Sequence, residues 1–211
     1  RYIKAVVAVA GLAVSGANAQ SLRLGAEGFA ADTAVQIHVG DVVRLQIIAD
    51  FESLHAAGLA AYVTVPDGAF AVQDLGLPGQ VGTQPFRPGP LFSGSLLPTN
   101  ALLTESGGIA ASIPGQQLDL AALFRPGGNG ETAGAGVVAT FEIRALGPVA
   151  GATIHIDDNP VRETKMVLAD GRTERRFSST AGLTITVLDP LASPIEPQSW
   201  AWTKRRVSRN R

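Results

Sequence analysis

The sequence predicts an all-β protein, a β-sandwich or barrel of about nine strands. Three observations carry that prediction. Apolar residues recur at every second position, most clearly at Val137, Ala139, Phe141, Ile143 and Ala145, with Val138, Thr140, Glu142 and Arg144 between them. Turn signals such as Pro66-Asp67-Gly68 and Asp170-Gly171 punctuate runs of this kind, which lie roughly 8–12 residues apart, as in sandwiches and barrels. Sustained helical periodicity is absent, and a sheet with one apolar face needs a second layer to cover it.

In chain order, residues 1–19 have the three parts of a secretory signal peptide. Arg1 and Lys4 are basic, residues 5–14 form an apolar run, and Ala17-Asn18-Ala19 is a small-x-small site, so export with cleavage after Ala19 is expected. The apolar run is shorter than the roughly 20 residues that a membrane span needs. One domain is expected over residues 20–190. It opens with a short strand at 21–24, followed by residues 35–39, the Gly40-Asp41 break, and Val43, Leu45, Ile47 and Ala49. Those two runs predict a hairpin or one long bulged strand. Residues 57–65 set Leu59, Ala61, Val63 and Val65 against Ala60, Tyr62 and Thr64, and Phe70 and Val72 resume extended structure after the turn. Residues 76–98 are crowded with glycine and proline and predict a long surface connection, a natural place for a binding function.

Residues 107–113 read as a short strand. Residues 118–124, with Leu120, Leu123 and Phe124 on neighbouring faces, predict one or two helical turns stopped by Pro126-Gly127-Gly128. The central strand follows at 134–145, with Val137, Ala139, Phe141 and Ile143 expected inward and Thr140, Glu142 and Arg144 outward. Residues 153–156, an Asp157-Asp158-Asn159-Pro160 turn, residues 161–167, and the run Leu183, Ile185, Val187 close the domain.

Composition narrows the function classes. A chain of 211 residues with 45% hydrophobic content can bury a core in one domain. It has no cysteine, which excludes disulfides, thiolate metal sites and cysteine nucleophiles. The net charge of −1 divides into +2 over residues 1–19, +4 over 191–211 and −7 over 20–190. An acidic body argues against nucleic-acid binding. The tail at 191–211 is expected to be disordered or a short helix. Its Trp200 and Trp202, beside five basic residues, are candidates for contact with a partner, a cell wall or an anionic membrane.

No catalytic constellation is visible, and a non-enzymatic role without a required cofactor is expected. His38, His55 and His155 lie in separate elements without converging ligands. Ser93-Gly94-Ser95 lacks the context of a nucleophile elbow. Gly127-Gly128-Asn129-Gly130 and Gly134-Ala135-Gly136 precede a strand, whereas phosphate loops open a helix. Asp157, Asp158 and Asn159, with Asp170, Asp41 and Asp50 elsewhere, are oxygen donors of the kind calcium takes, at spacings unlike an EF-hand. Turn formation is the better explanation of them. Glu105, Glu131 and Glu142 are unpaired as glycosidase carboxylates. Arg162, Arg172, Arg175 and Arg176 alternate with acids as in a solvated hairpin. Tyr62 and Phe86 are the only domain aromatics considered for stacking on sugar.

Four blocks resemble a cohesin domain, the nine-stranded jelly-roll module of cellulosome scaffoldins and other secreted bacterial proteins. Val39-Gly40-Asp41-Val42-Val43 with Leu45 and Ile47 is similar to that family's opening strand pair. Residues 58–66 with Phe70 and Val72 resemble its second block, residues 134–142 its glycine-led central block, and residues 154–159 with 183–187 its closing strands. Val65-Pro66-Asp67 departs from the family's usual Asp-Pro at that place. The resemblance implies a secreted interaction module for a dockerin-like domain or another extracellular protein, with a link to polysaccharide breakdown. A carbohydrate-binding module of the same architecture is the alternative.

Overall fold

The computed structural model describes residues 19–30, 34–76, 82–103, 114–125, 130–157 and 163–189. The expected signal peptide up to residue 18, the strand expected at 107–113, and the tail with Trp200 and Trp202 lie outside the described residues, as do Asp158, Asn159 and Glu105. Among the described residues there are fourteen strands and no α-helix, and no helix long and apolar enough to cross a membrane.

The strands run β1 (Ser21–Ala26), β2 (Val35–His38), β3 (Val42–Asp50), β4 (Ala56–Val65), β5 (Phe70–Val72), β6 (Arg87–Pro88) and β7 (Leu96–Leu103). They continue with β8 (Gln116–Leu123), β9 (Ala135–Ala145), β10 (Val149–Asp157), β11 (Lys165–Leu168), β12 (Glu174–Arg176), β13 (Ser179–Ala181) and β14 (Leu183–Leu188). The first sheet has the order β13-β1-β3-β9, with β5 and β6 both on the far edge of β9. In the second, β7-β8-β4 continues into β10-β14-β2, while β11 takes the free end of the same β4 edge and β12 pairs with β11. Two pairs, β1 with β13 and β14 with β2, are parallel within an otherwise antiparallel sandwich.

The two inner faces bury Leu22, Leu45, Ile47, Phe141 and Ile143 from one sheet and Val63, Leu118, Leu120, Ile154 and Ile185 from the other. Aromatic rings fill one end: Phe51 lies 6.1 Å from Phe92 and 6.0 Å from Phe177, and Phe92 stacks on Phe124 at 5.0 Å. Such ring pairs add to the area they remove from water.

Three sequence expectations change. Residues 118–124 are not helical turns but most of β8, because Leu118, Leu120 and Ala122 alternate inward with period two. Leu123 and Phe124 side by side imitate a helical face only because the strand is ending there. The Gly40-Asp41 break joins neither a hairpin nor one bulged strand: β2 pairs with β14 and β3 with β1 and β9, so the break carries the chain from one sheet to the other. Gly40 has φ +93, its N–H donates to Ala145 O, and Asp41 accepts the His38 N–H at 2.8 Å. Third, Ala139, Phe141 and Ile143 are buried as expected, but Val137 is not. A bulge between Ile47 and Ile48 opposes them to Ala139 and Val137, so Val138 takes the buried position. The expected connection at 76–98 also holds regular structure, namely β6, a 3-10 turn at Pro90–Phe92, and the start of β7.

Candidate functional site

The outer face of the second sheet is built by register. One lateral row runs Ala101, Asp119, Tyr62, Asp157 across β7, β8, β4 and β10, and a second runs Leu103, Gln117, Thr64, His155. Four adjacent strands make each row roughly 14 Å wide. Below them lie Thr99, Ala121, Ala60 and Lys165, then Leu123, Gly58 and Val167. The small residues form a shallow trough. A Cβ on Gly58 would sit 2.8 Å from Leu123 Cδ1, so the leucine side chain leans across the glycine.

The polar rows are knitted together. Tyr62 OH donates to Asp119 Oδ2 at 3.3 Å, and the Tyr62 N–H donates to Thr164 Oγ1 at 3.2 Å. The Thr64 hydroxyl faces both Gln117 Oε1, at 3.1 Å, and the Asp157 carboxylate. That hydroxyl has one proton to give, and Gln117 Nε2 is buried without a partner. With the Gln117 amide turned by half a rotation, Nε2 donates to Thr64 Oγ1 and Thr64 donates to Asp157. Burial pushes the Asp119 carboxyl up to about 6. The face thus combines a half-buried acid, a tyrosine hydroxyl and a trough of small residues.

No protein-family model and no curated protein matches this sequence. Solved structures do. The seventh ScaB type I cohesin of Pseudobacteroides cellulosolvens aligns over 84% of this chain and 96% of its own, at TM-score 0.54 and 11% identity. The third ScaC cohesin of Acetivibrio cellulolyticus, solved in complex with the ScaB dockerin, aligns over 80% and 99% at TM-score 0.55 and 12% identity. A type I cohesin–dockerin complex from Clostridium thermocellum aligns over 81% and 100% at TM-score 0.54 and 10% identity. The fold is that of a cohesin domain. At such identities the likeness is one of fold, and the residues of a site in this cohesin fold have to be argued from this chain.

Placed in that fold, the sequence-predicted residues separate. His155 stands on the outer face in the Thr64 row, whereas His38 Nδ1 faces Asp41 at 3.7 Å and His55 Nδ1 faces Glu131 at 3.0 Å. Among the described residues no three His, Cys, Asp or Glu side chains come together as a metal site. Of the calcium candidates, Asp157 is described and its carboxylate accepts from Thr64. Asp170 closes the β11–β12 hairpin instead, accepting the N–H groups of Arg172 and Thr173 and the Thr173 hydroxyl, which hold its carboxyl down at about 2. Arg176 pairs with Glu163, and Lys165 with Glu174 at 2.6 Å, as expected of a solvated hairpin. Glu142 and Glu27 flank Arg44 at 2.9 and 3.1 Å on the other sheet. Gly134 has φ +75 and exchanges backbone hydrogen bonds with Phe51 and Glu52 as the chain enters β9, which is a turn and not a phosphate loop. Tyr62 and Phe86 are 4% and 0% exposed, so neither offers a ring face to a sugar.

A helical reading of residues 118–124 hides Asp119 and Ala121 as outward residues of β8. The alternation of Leu118, Leu120 and Ala122 was the signal that places them outward.

Proposed function

We propose that this chain is a secreted, non-catalytic interaction module of cohesin type, and that a dockerin-like domain docks on the outer face of β7, β8, β4 and β10. The observation that carries the reading is that face: two polar rows beside a trough of small residues, on the fold of proteins solved in complex with dockerins. The signal sequence over residues 1–19 supports export, and a link to polysaccharide breakdown would come through an enzyme that the partner carries. Burial of Tyr62 and Phe86 removes the aromatic support for direct sugar binding.

Calorimetric titration of the mature chain against a panel of purified dockerin domains, with and without calcium, tests this. One member is expected to bind at micromolar affinity or tighter. Ala121→Arg, which fills the trough from a half-buried outward strand position, should weaken binding at least about tenfold, while Arg144→Glu on the opposite sheet leaves it unchanged. Equal binding by the Ala121→Arg protein, or none by any dockerin, would remove the proposal.

A further inference from the structure

A second surface, remote from the docking face, has a different character. β13 runs beside β1 only over Ser21–Arg23, after which Gly182 takes the chain across to β14 in the other sheet. A Cβ on Gly182 would meet Ile154 O at 2.4 Å, so the crossing segment is pressed against β10 and cannot follow β1 further. The edge of β1 at Leu24, Gly25 and Ala26 is therefore left with β3 on one side and a cleft on the other. The chain turns back after Ala26, with Gly28 at φ +85 and the Phe29 N–H donating to Ala26 O at 3.2 Å. That turn makes Phe29, 38% exposed, a wall of the cleft. Val35, at the start of β2, and Leu183 and Thr184 close the opposite side.

The enclosed volume is about 540 Å³, within the range of small-molecule sites. Its apolar surface comes from Leu24, Phe29, Val35, Ile48 and Leu183. Gly25 is what opens it, since a side chain there would collide with Ile48, whose Cδ1 lies 2.9 Å from the absent Cβ. Arg23 lines the same cleft with Gln46. Arg44 of the same sheet is held between two glutamates, but Arg23 has no ion pair among the described residues. A guanidinium lining a cleft of mixed polar and apolar surface suits a carboxylate, which its fork takes through two parallel hydrogen bonds while the apolar part of the wall takes a hydrocarbon body.

We propose that the cleft between β1, β3 and the β13–β14 crossing binds a small organic acid with an apolar body, its carboxylate on Arg23. The body of residues 20–190 carries a net charge of −7, so an anion is drawn here by Arg23 locally, against the field of the whole domain.

Two-dimensional NMR titration of the mature protein with 4-phenylbutyrate, and with 4-phenylbutanol as its uncharged counterpart, tests the proposal. The acid should shift the amides of Leu24, Gly25, Gly182 and Leu183, and the alcohol should bind at least about tenfold more weakly. Arg23→Gln should weaken the acid by about the same factor and leave the alcohol unchanged. Arg23→Lys, keeping the charge without the fork, should fall between the two. Filling the floor with Gly25→Val should abolish both interactions while the remaining amide pattern stays native. Equal affinity for acid and alcohol, an Arg23→Gln protein that binds as the parent does, or shifts away from the cleft would overturn it. None of these results depends on whether a dockerin binds the opposite face.

Discussion

The side chain of Asn100, on β7 of the second sheet, acts on the backbone of Phe86, just before β6 of the first. Its Oδ1 accepts the Phe86 N–H at 2.9 Å and its Nδ2 donates to Phe86 O at 2.8 Å, both in a buried setting. Gln116 does the same for β5, donating to Phe70 O at 2.7 Å and accepting from Val72 N–H at 3.2 Å. These amides stand in for the strand pairing that the edge of the sandwich lacks. Asn100→Ala leaves a buried donor and a buried acceptor unpaired and should cost about 3 kcal/mol in urea unfolding. A loss below about 1 kcal/mol would mean the contact is replaced by water. Asp119 gives a prediction of opposite sign. Its folded-state value of about 6 lies above 3.8, so between those pH values the native state holds a proton that the unfolded chain has released, and stability falls as pH rises through the window. Asp119→Asn should therefore be more stable than the parent at pH 7.5, by up to about 1 kcal/mol once screening of the half-exposed carboxylate is allowed for, and no more stable near pH 3.5. Neither residue stood out in the sequence: Asn100 reads as one more polar residue of a Gly/Pro-rich stretch, and its partner is known only after folding.

At the scale of elements, alternation carried most of the information. β3, β4, β9, β10 and β14 fall where their period-two runs predict, because each lays one alternating set on the core, although β4 is largely buried on its other face as well. What alternation could not supply was pairing. Val138 looks outward by parity and lies inward because of a bulge set by β3, a neighbour about 90 residues away along the chain. The parallel pairs β1–β13 and β14–β2 leave no local trace either. The β13–β14 crossing offers a direct check on this part of the account. Gly182→Ala drives a Cβ to within 2.4 Å of Ile154 O, a backbone atom that cannot swing aside, and should destabilise by about 2 kcal/mol or more. Gly147→Ala, where a Cβ meets nothing within 4 Å, should be neutral or slightly stabilising. Equal thermal melts for the two variants would place the crossing wrongly.

For the molecule as a whole, two opposed sheets leave two outer faces of different kinds. The first sheet exposes Arg44 locked between Glu27 and Glu142, with Arg87 and Arg144 nearby in register. The second carries the network of Tyr62, Thr64 and Gln117, which are buried, and half-buried Asp119, beside its trough. The architecture was legible because every level of the sequence agreed on strands, with period, turn chemistry and composition all pointing the same way. The docking face was not, since it is assembled from single outward residues of four strands that share no motif. Hydrogen exchange of the mature chain with and without a bound dockerin tests the central claim most directly. Slowed exchange confined to amides of β4, β7, β8 and β10 is the predicted result; protection on β3 and β9, with the second sheet unchanged, would contradict it.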